Sequence, residues 1–200
     1  ERRFSPDKIK HLHFSDTSIK SEAFQLLSNE QFDAATSLYE GLVWKRLPYL
    51  GILEPDDEQF IADLIHCYLM TGRSTEASER IRLWTPRIND PNIIADLEES
   101  AMLAAWNSKN VTTAILLAQK WIDNHKPATE TALAWRIIAH DHWKNGHAEE
   151  TNWISLQPIT FCGFNTPRHL NYCYALAILS SLQLGNTQHA GTLRTEMAER

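Results

Sequence analysis

The residues most able to do chemistry here are histidines and carboxylates set close together. His140-Asp141-His142 is the sharpest metal-like string. On a helix, side chains two residues apart point about 200° away from each other, so the two rings cannot share one ion there. His11 and His13 could share one only in an extended segment, where alternate residues face the same way. The acidic runs Asp56-Asp57-Glu58 and Asp96, Glu98, Glu99 stand where apolar helical segments begin. Carboxylates at such places offset the positive end of the helix dipole, a structural task and not that of a catalytic dyad. Walker-type glycine loops, GxGxxG, GxSxG and HExxH are all missing from the sequence. Cys67, Cys162 and Cys173 have neither CxxC spacing nor a disulfide pattern. Cys67 and Cys173 read as buried reduced thiols, and Cys162 falls in a loop-like run. The chain is therefore expected to be no enzyme, with no cofactor and no metal site.

Composition narrows the partners. With 43% apolar and 22% charged residues, the 200-residue chain can bury a sizeable core. A formal charge of −6 and a pI near 5.8 oppose nonspecific attraction to nucleic acid or anionic membrane. No run is apolar for long enough to cross a bilayer. Reduced cysteines and the lack of a leader pattern favour a cytoplasmic protein. The chain starts at Glu1 and ends at Arg200 without a polar capping helix, which suggests a fragment of a longer protein.

The elements that must position any functional residue are read from a repeat. Gly72-Arg73-Ser74-Thr75-Glu76-Ala77, Gly146 to Thr151 and Gly185 to Ala190 each close one apolar helical segment and open another. Glu30 to Ala35 and Lys109 to Ala114 follow the same frame without glycine. The frames end at 35, 77, 114, 151 and 190, spaced by 42, 37, 37 and 39. Glycine after a helix tolerates the left-handed conformation that ends it, and a short polar turn then starts an antiparallel partner. The small residue five positions on sits where the two helices approach closely. Apolar residues recur at three- and four-residue steps before and after each turn, as in Phe60, Ile61, Leu64, Ile65, Tyr68 and Leu69.

This pattern resembles the tetratricopeptide repeat (TPR) family over residues 17 to 200, although the spacing exceeds the family's usual 34. A looser helical repeat of the kind found in bacterial regulators fits the same residues. The resemblance implies an all-α, antiparallel helix-hairpin solenoid of about five hairpins, with residues 1–16 as an N-terminal extension. Connectors are expected at 48–55, where Asp56 and Asp57 suit the start of the next helix, at 89–91, at 126–129 and at 157–167. Pro158 also falls within the second helix of the fourth unit.

Trp84 and Trp121 occupy matching places in successive second helices and read as core. Trp106 and Trp143 match on first helices, with Leu27, Leu69 and Leu182 as counterparts, and this row is either packing between hairpins or a binding strip. In a TPR-like stack the first helices line the concave face, and the family register projects Phe24, His66, Arg136 and His140 into it. Lys20, Asp63, Glu99, Leu103, Tyr172 and Leu179 share that register. A carboxylate clamp for a C-terminal tail is not expected, since His66 and Leu103 replace its amides and Glu99 has the wrong sign. The predicted function is a protein-binding scaffold holding a partner peptide or helix, through Phe24, His66, Trp106, Arg136, His140 and Trp143. Two alternatives stand beside it: a ligand-sensing regulatory domain of a larger bacterial-type regulator, and a secretion chaperone. The aromatic loop from Phe161 to Phe164 is the next candidate surface.

Overall fold

The computed structural model describes residues 12–124, 132–161 and 169–200. His11, the connector at 126–129, Cys162 and Phe164 lie outside them. Ten α-helices follow in order among the described residues: α1 (Thr17–Ser28), α2 (Phe32–Arg46), α3 (Pro55–Met70), α4 (Ser74–Trp84), α5 (Pro91–Asn107), α6 (Val111–Asn124), α7 (Ala132–Lys144), α8 (Ala148–Phe161), α9 (Leu170–Gln183) and α10 (Thr187–Glu199). This is the all-α hairpin repeat that the sequence predicts. The one strand-like pairing among the described residues is an isolated parallel bridge between Leu12 and Leu53.

The backbone at the turns explains the repeat. Gly72, Gly146 and Gly185 have φ of 77°, 79° and 77°, and Glu30 and Lys109 take the same left-handed conformation at 58° and 61°. Around Gly72, its own amide donates to the Leu69 carbonyl at 3.3 Å and the Arg73 amide to the Tyr68 carbonyl at 2.7 Å. That is the paired closure of a Schellman ending, which satisfies carbonyls the helix leaves over. The turns at Glu30, Gly146 and Gly185 repeat both bonds. The shape is set by the backbone, so a charged residue can hold the glycine's place at some strain. Five residues on, Ala35, Ala77, Ala114, Thr151 and Ala190 are all buried, as close helix contact requires.

The chain divides into two compact units at Ser108/Lys109. In the first, α1 packs on α2, α2 on α3, and α3 on both α4 and α5. Its core gathers Tyr39, Leu42, Ile61, Leu64, Ile65, Tyr68, Trp84 and Leu97. In the second, α6 packs on α7, α7 on both α8 and α9, and α9 on α10. Trp121 is buried in this unit, and a cluster of Ile159, Leu170, Cys173, Tyr174, Ala177 and Leu193 joins its last three helices. First helices thus neighbour one another within each unit, α3 with α5 and α7 with α9.

Asp96, Glu98 and Glu99, expected at a helix start, lie inside α5, which opens at Pro91 with no acid in its first turn. Two further expectations need correction. The connector placed at 157–167 begins later, because α8 continues through Pro158 to Phe161. Pro158 cannot donate to the carbonyl one turn back, but Pro158 and Ile159 are both buried, and that burial holds the last turn. The second concerns Asp56 and Asp57, expected at the mouth of α3 as capping charges. Glu54 is the cap residue and Pro55 opens the helix, with no side-chain cap bond. The Glu54 carbonyl takes the Asp57 and Glu58 amides at 2.9 and 3.0 Å. The side chains of Asp57 and Glu58 are buried and engaged elsewhere.

Asp57 is the centre of a charged cluster that ties residues 12–16 to the first unit. Its carboxylate accepts from Arg46 at 2.8 Å, from Lys20 at 3.1 Å and from the Phe14 amide at 3.1 Å. His13 Nδ1 lies 3.1 Å from the same group. Arg46, fully buried, also donates twice to Asp16, at 2.8 and 3.2 Å, and its guanidinium lies 4.5 Å from the Phe14 ring centre. Leu12 is held beside the connector, its amide donating to the Ile52 carbonyl and its carbonyl accepting the Glu54 amide. The residue that His13 meets among the described residues is thus Asp57. Glu58 turns the other way and accepts from the amides of Asn89 and Asp90 at 3.1 and 3.0 Å. Asp90 in turn caps α5 through the Asn92 amide at 2.7 Å.

Candidate functional site

In the second unit, α7 and α9 lie side by side, and α7 carries three of the six residues expected to bind, Arg136, His140 and Trp143. Arg136 sits one turn into α7, just past Ala132, whose carbonyl accepts from Cys173 Sγ of α9 at 3.5 Å. That contact fixes the two helices close enough for Arg136 to reach across. Its guanidinium lies 3.9 Å from the centre of the Tyr172 ring, and its Nη1 donates to His169 Nδ1 at 2.9 Å. With Nδ1 accepting, the ring proton of His169 belongs on Nε2. His169 precedes α9 and its φ is 71°, a left-handed conformation that a histidine takes only at a cost. Its carbonyl accepts the Tyr172 amide at 3.1 Å and so begins the helix.

The electrostatics of Arg136 are unusual. It is half-buried, and burial pulls its pKa below the ordinary arginine value. Among the described residues no carboxylate lies within ion-pair distance of it. One turn further along, burial first, and then the positive charges of Lys144 and Arg136, hold His140 below the usual histidine pKa. Trp143 is half-buried at the end of the same helix, its carbonyl taken by the Gly146 amide at 3.1 Å. The neighbouring face of α9 leaves Tyr172 and Leu179 exposed by 55% and 45%, with Leu182 beyond them. Seven residues separate the first two, so they lie on one side of the helix two turns apart.

The first unit holds the other expected residues separately. Phe24 on α1 is 65% exposed, while its neighbour Ala23 is buried in the core. His66 on α3 is half-buried, and its ring meets Phe32 edge-on at 5.8 Å. Trp106 is half-buried near the end of α5. On α3, burial raises the pKa of Asp63; the hydrogen bond from Gln59 at 3.0 Å opposes this, and the charge of Asp96 adds to it.

Other candidates carry no chemistry of this kind. The rings of His142 and His147 lie 5.7 Å apart, tilted by 50°, and Asp141 accepts from Asn145 at 3.3 Å. Among the described residues no three histidine, cysteine or acidic side chains gather as a metal would need. Cys67 and Cys173 are buried free thiols, and burial pushes Cys67 up to about 11. No helix of the described residues is long and apolar enough to cross a membrane. His169, the partner that makes Arg136 distinctive, carries no sequence signal, since nothing in a His-Leu pair before a helix marks a left-handed residue.

No family model matches the sequence, and no curated protein matches it. Among solved structures, the chain resembles two crystal structures of nearly identical TPR-like repeats assigned to a kinesin light chain of Podosopora anserina. One has a TM-score of 0.64 at 16% identity and covers 92% of each chain. The other has a TM-score of 0.63 at 16% identity, covering 92% of this chain and 93% of that one. At this identity the likeness establishes the fold, a TPR-like helical repeat.

Proposed function

We propose that this chain is a protein-interaction module that holds a segment of a partner against its first helices. The fold is one commonly used as a binding scaffold, because stacked hairpins expose long faces built from local contacts. The observation that carries the reading is the exposed side of α9, where Tyr172, Leu179 and Leu182 remain accessible on a helix whose opposite side is core. Beside it α7 offers Arg136, His140 and Trp143. In the first unit Phe24, His66 and Trp106 are the corresponding first-helix residues. Aromatic and arginine side chains of this kind dominate binding energy when covered, since they bury much area and still hydrogen-bond.

A photo-crosslinking amino acid tests the reading. Placed at Leu179, it is expected to capture a discrete partner segment from cells that make the protein. Placed at Leu116, which is exposed on α6, a second helix, it is expected to capture nothing comparable. Equal capture from both positions, or capture from Leu116 alone, would remove the first-helix face from consideration.

A further inference from the structure

We propose that the partner segment is acidic, and that Arg136, seated on Tyr172 and bonded to His169, anchors one of its carboxylate side chains. This rests on the interaction reading above and adds the chemistry of the occupant.

The guanidinium carries five donors in a planar fork. One goes to a neutral imidazole, and the ring of Tyr172 covers one face. Neither supplies negative charge. A half-buried cation without a counter-ion among the described residues has lost hydration that a stacked ring and one neutral acceptor only partly replace. A carboxylate entering in the plane of the fork would restore that loss through paired, charge-assisted bonds. The site is also held ready, because stacking on Tyr172 and the bond to His169 fix the guanidinium before any partner arrives. The strained backbone of His169 belongs to this arrangement, since the residue gives its ring to Arg136 and its carbonyl to the start of α9.

The surroundings point to an acidic occupant over a neutral or basic one. Arg136, His140 and Lys144 recur at four-residue steps on α7, roughly 6 Å apart along its axis. The sole acid of α7 is Asp141, about 100° around the helix from His140 and bonded to Asn145. The neighbouring α9 carries no acidic side chain from Leu170 to Gln183. His140, held below the ordinary histidine pKa, is neutral at pH 7. The positive charge that matters on this side of α7 is therefore that of Arg136, with no carboxylate of α7 or α9 within ion-pair distance of it, in a chain whose formal charge is −6. A segment with a carboxylate at Arg136 and apolar side chains for Tyr172 and Leu179 complements it.

Random dodecapeptides displayed on phage and selected on the immobilised full chain provide the test. Selected sequences are expected to be enriched in Asp and Glu over the starting library. Their affinity is expected to fall at least about tenfold on Arg136→Ala and on Arg136→Gln, which keeps a donor for His169 without the charge. Both variants should keep the wild-type helical spectrum, and Arg136→Lys should retain part of the binding. Selected peptides without acidic enrichment, or acidic peptides that bind both variants as well as wild type, would overturn the carboxylate anchor and leave the interaction module standing. Enrichment of basic peptides would do the same. A selection that yields no binding sequence at all would sink both readings.

Discussion

The Nη2 atom of Arg46 and the Oδ1 atom of Asp57 lie 2.7 Å apart, and neither side chain touches solvent. The pair joins the end of α2 to the start of α3, and Asp16 and the Phe14 amide extend it to the segment before α1. Burial alone would raise the pKa of Asp57, yet the bonds from Arg46, Phe14 and Lys20 outweigh it and hold the carboxyl below its ordinary value. The bond from Arg46 does the same for Asp16, against a smaller opposing effect of burial.

Both folded-state pKa values are depressed, so the stability they contribute is present above the unfolded value near pH 4 and is lost as acid protonates the folded groups. In the wild-type chain, the stability that these two carboxylates contribute should hold from neutral pH down to about pH 4 and fall below it. Asp57→Asn should cost about 3–5 kcal/mol at pH 7, since it breaks a buried pair and leaves Arg46 poorly compensated. Its melting temperature should also fall less steeply in acid. Thermal melts of both proteins from pH 3 to pH 7 check this.

The left-handed turns predict opposite signs for opposite substitutions. Glu30→Gly and Lys109→Gly should stabilise the chain by up to about 1 kcal/mol, because glycine carries no penalty in that conformation. Gly72→Ala should destabilise by about 1 kcal/mol. An added Cβ there meets nothing within 4 Å, so the cost is one of backbone and not of clash. Urea denaturation of the three single variants measures all three effects.

Close packing at the repeat's small residue is tested by enlarging it. Ala77→Leu and Ala114→Leu should each cost about 1–3 kcal/mol by overpacking a buried contact. Glu79→Leu, on the exposed side of α4, should be nearly neutral. Equal losses at 77 and 79 in chemical denaturation would contradict the packing described.

His140 reports on Arg136 directly. Its pKa lies below the ordinary 6.5 because of burial, Lys144 and Arg136, in that order. A histidine with a depressed folded-state pKa contributes stability above about pH 6.5, and this is lost as pH falls through the folded value. A two-dimensional NMR titration should show His140 protonating below pH 6.5, and Arg136→Gln should move it upward.

Much of the fold is legible in the sequence because its signals are local. The five turns share one frame, and the structure gives Glu30 and Lys109 the same φ sign as Gly72, Gly146 and Gly185. Ala77 and Ala114 are buried where that frame puts them, and Trp84 and Trp121 are core. What escapes local reading is every bond across sequence distance. Asp57 looks like one of three acids at a helix start, and its burial follows from Arg46, Lys20 and Phe14, which come 11, 37 and 43 residues earlier in the chain. Arg136 is legible as a first-helix residue of the expected face, but its bond to His169 spans 33 residues. The continuation of α8 through Pro158 is a case where burial overrides a residue that usually stops a helix.

Asp57 and Glu58 are consecutive residues that face opposite ways, one bonded back to α1, α2 and the segment before them, the other forward to the amides that lead into α5. Repeat proteins invite cut-and-paste engineering, in which a hairpin is deleted, duplicated or transplanted as a cassette. Here the first turn of α3 is stitched to both of its neighbours by buried carboxylates, so the second hairpin cannot be moved alone. A transplant that includes α3 must bring Arg46 and residues 13–16 from upstream and the 89–90 connector from downstream. The movable unit in this half of the chain is therefore a block of roughly one hundred residues, whatever the 37–42 residue period of its sequence suggests.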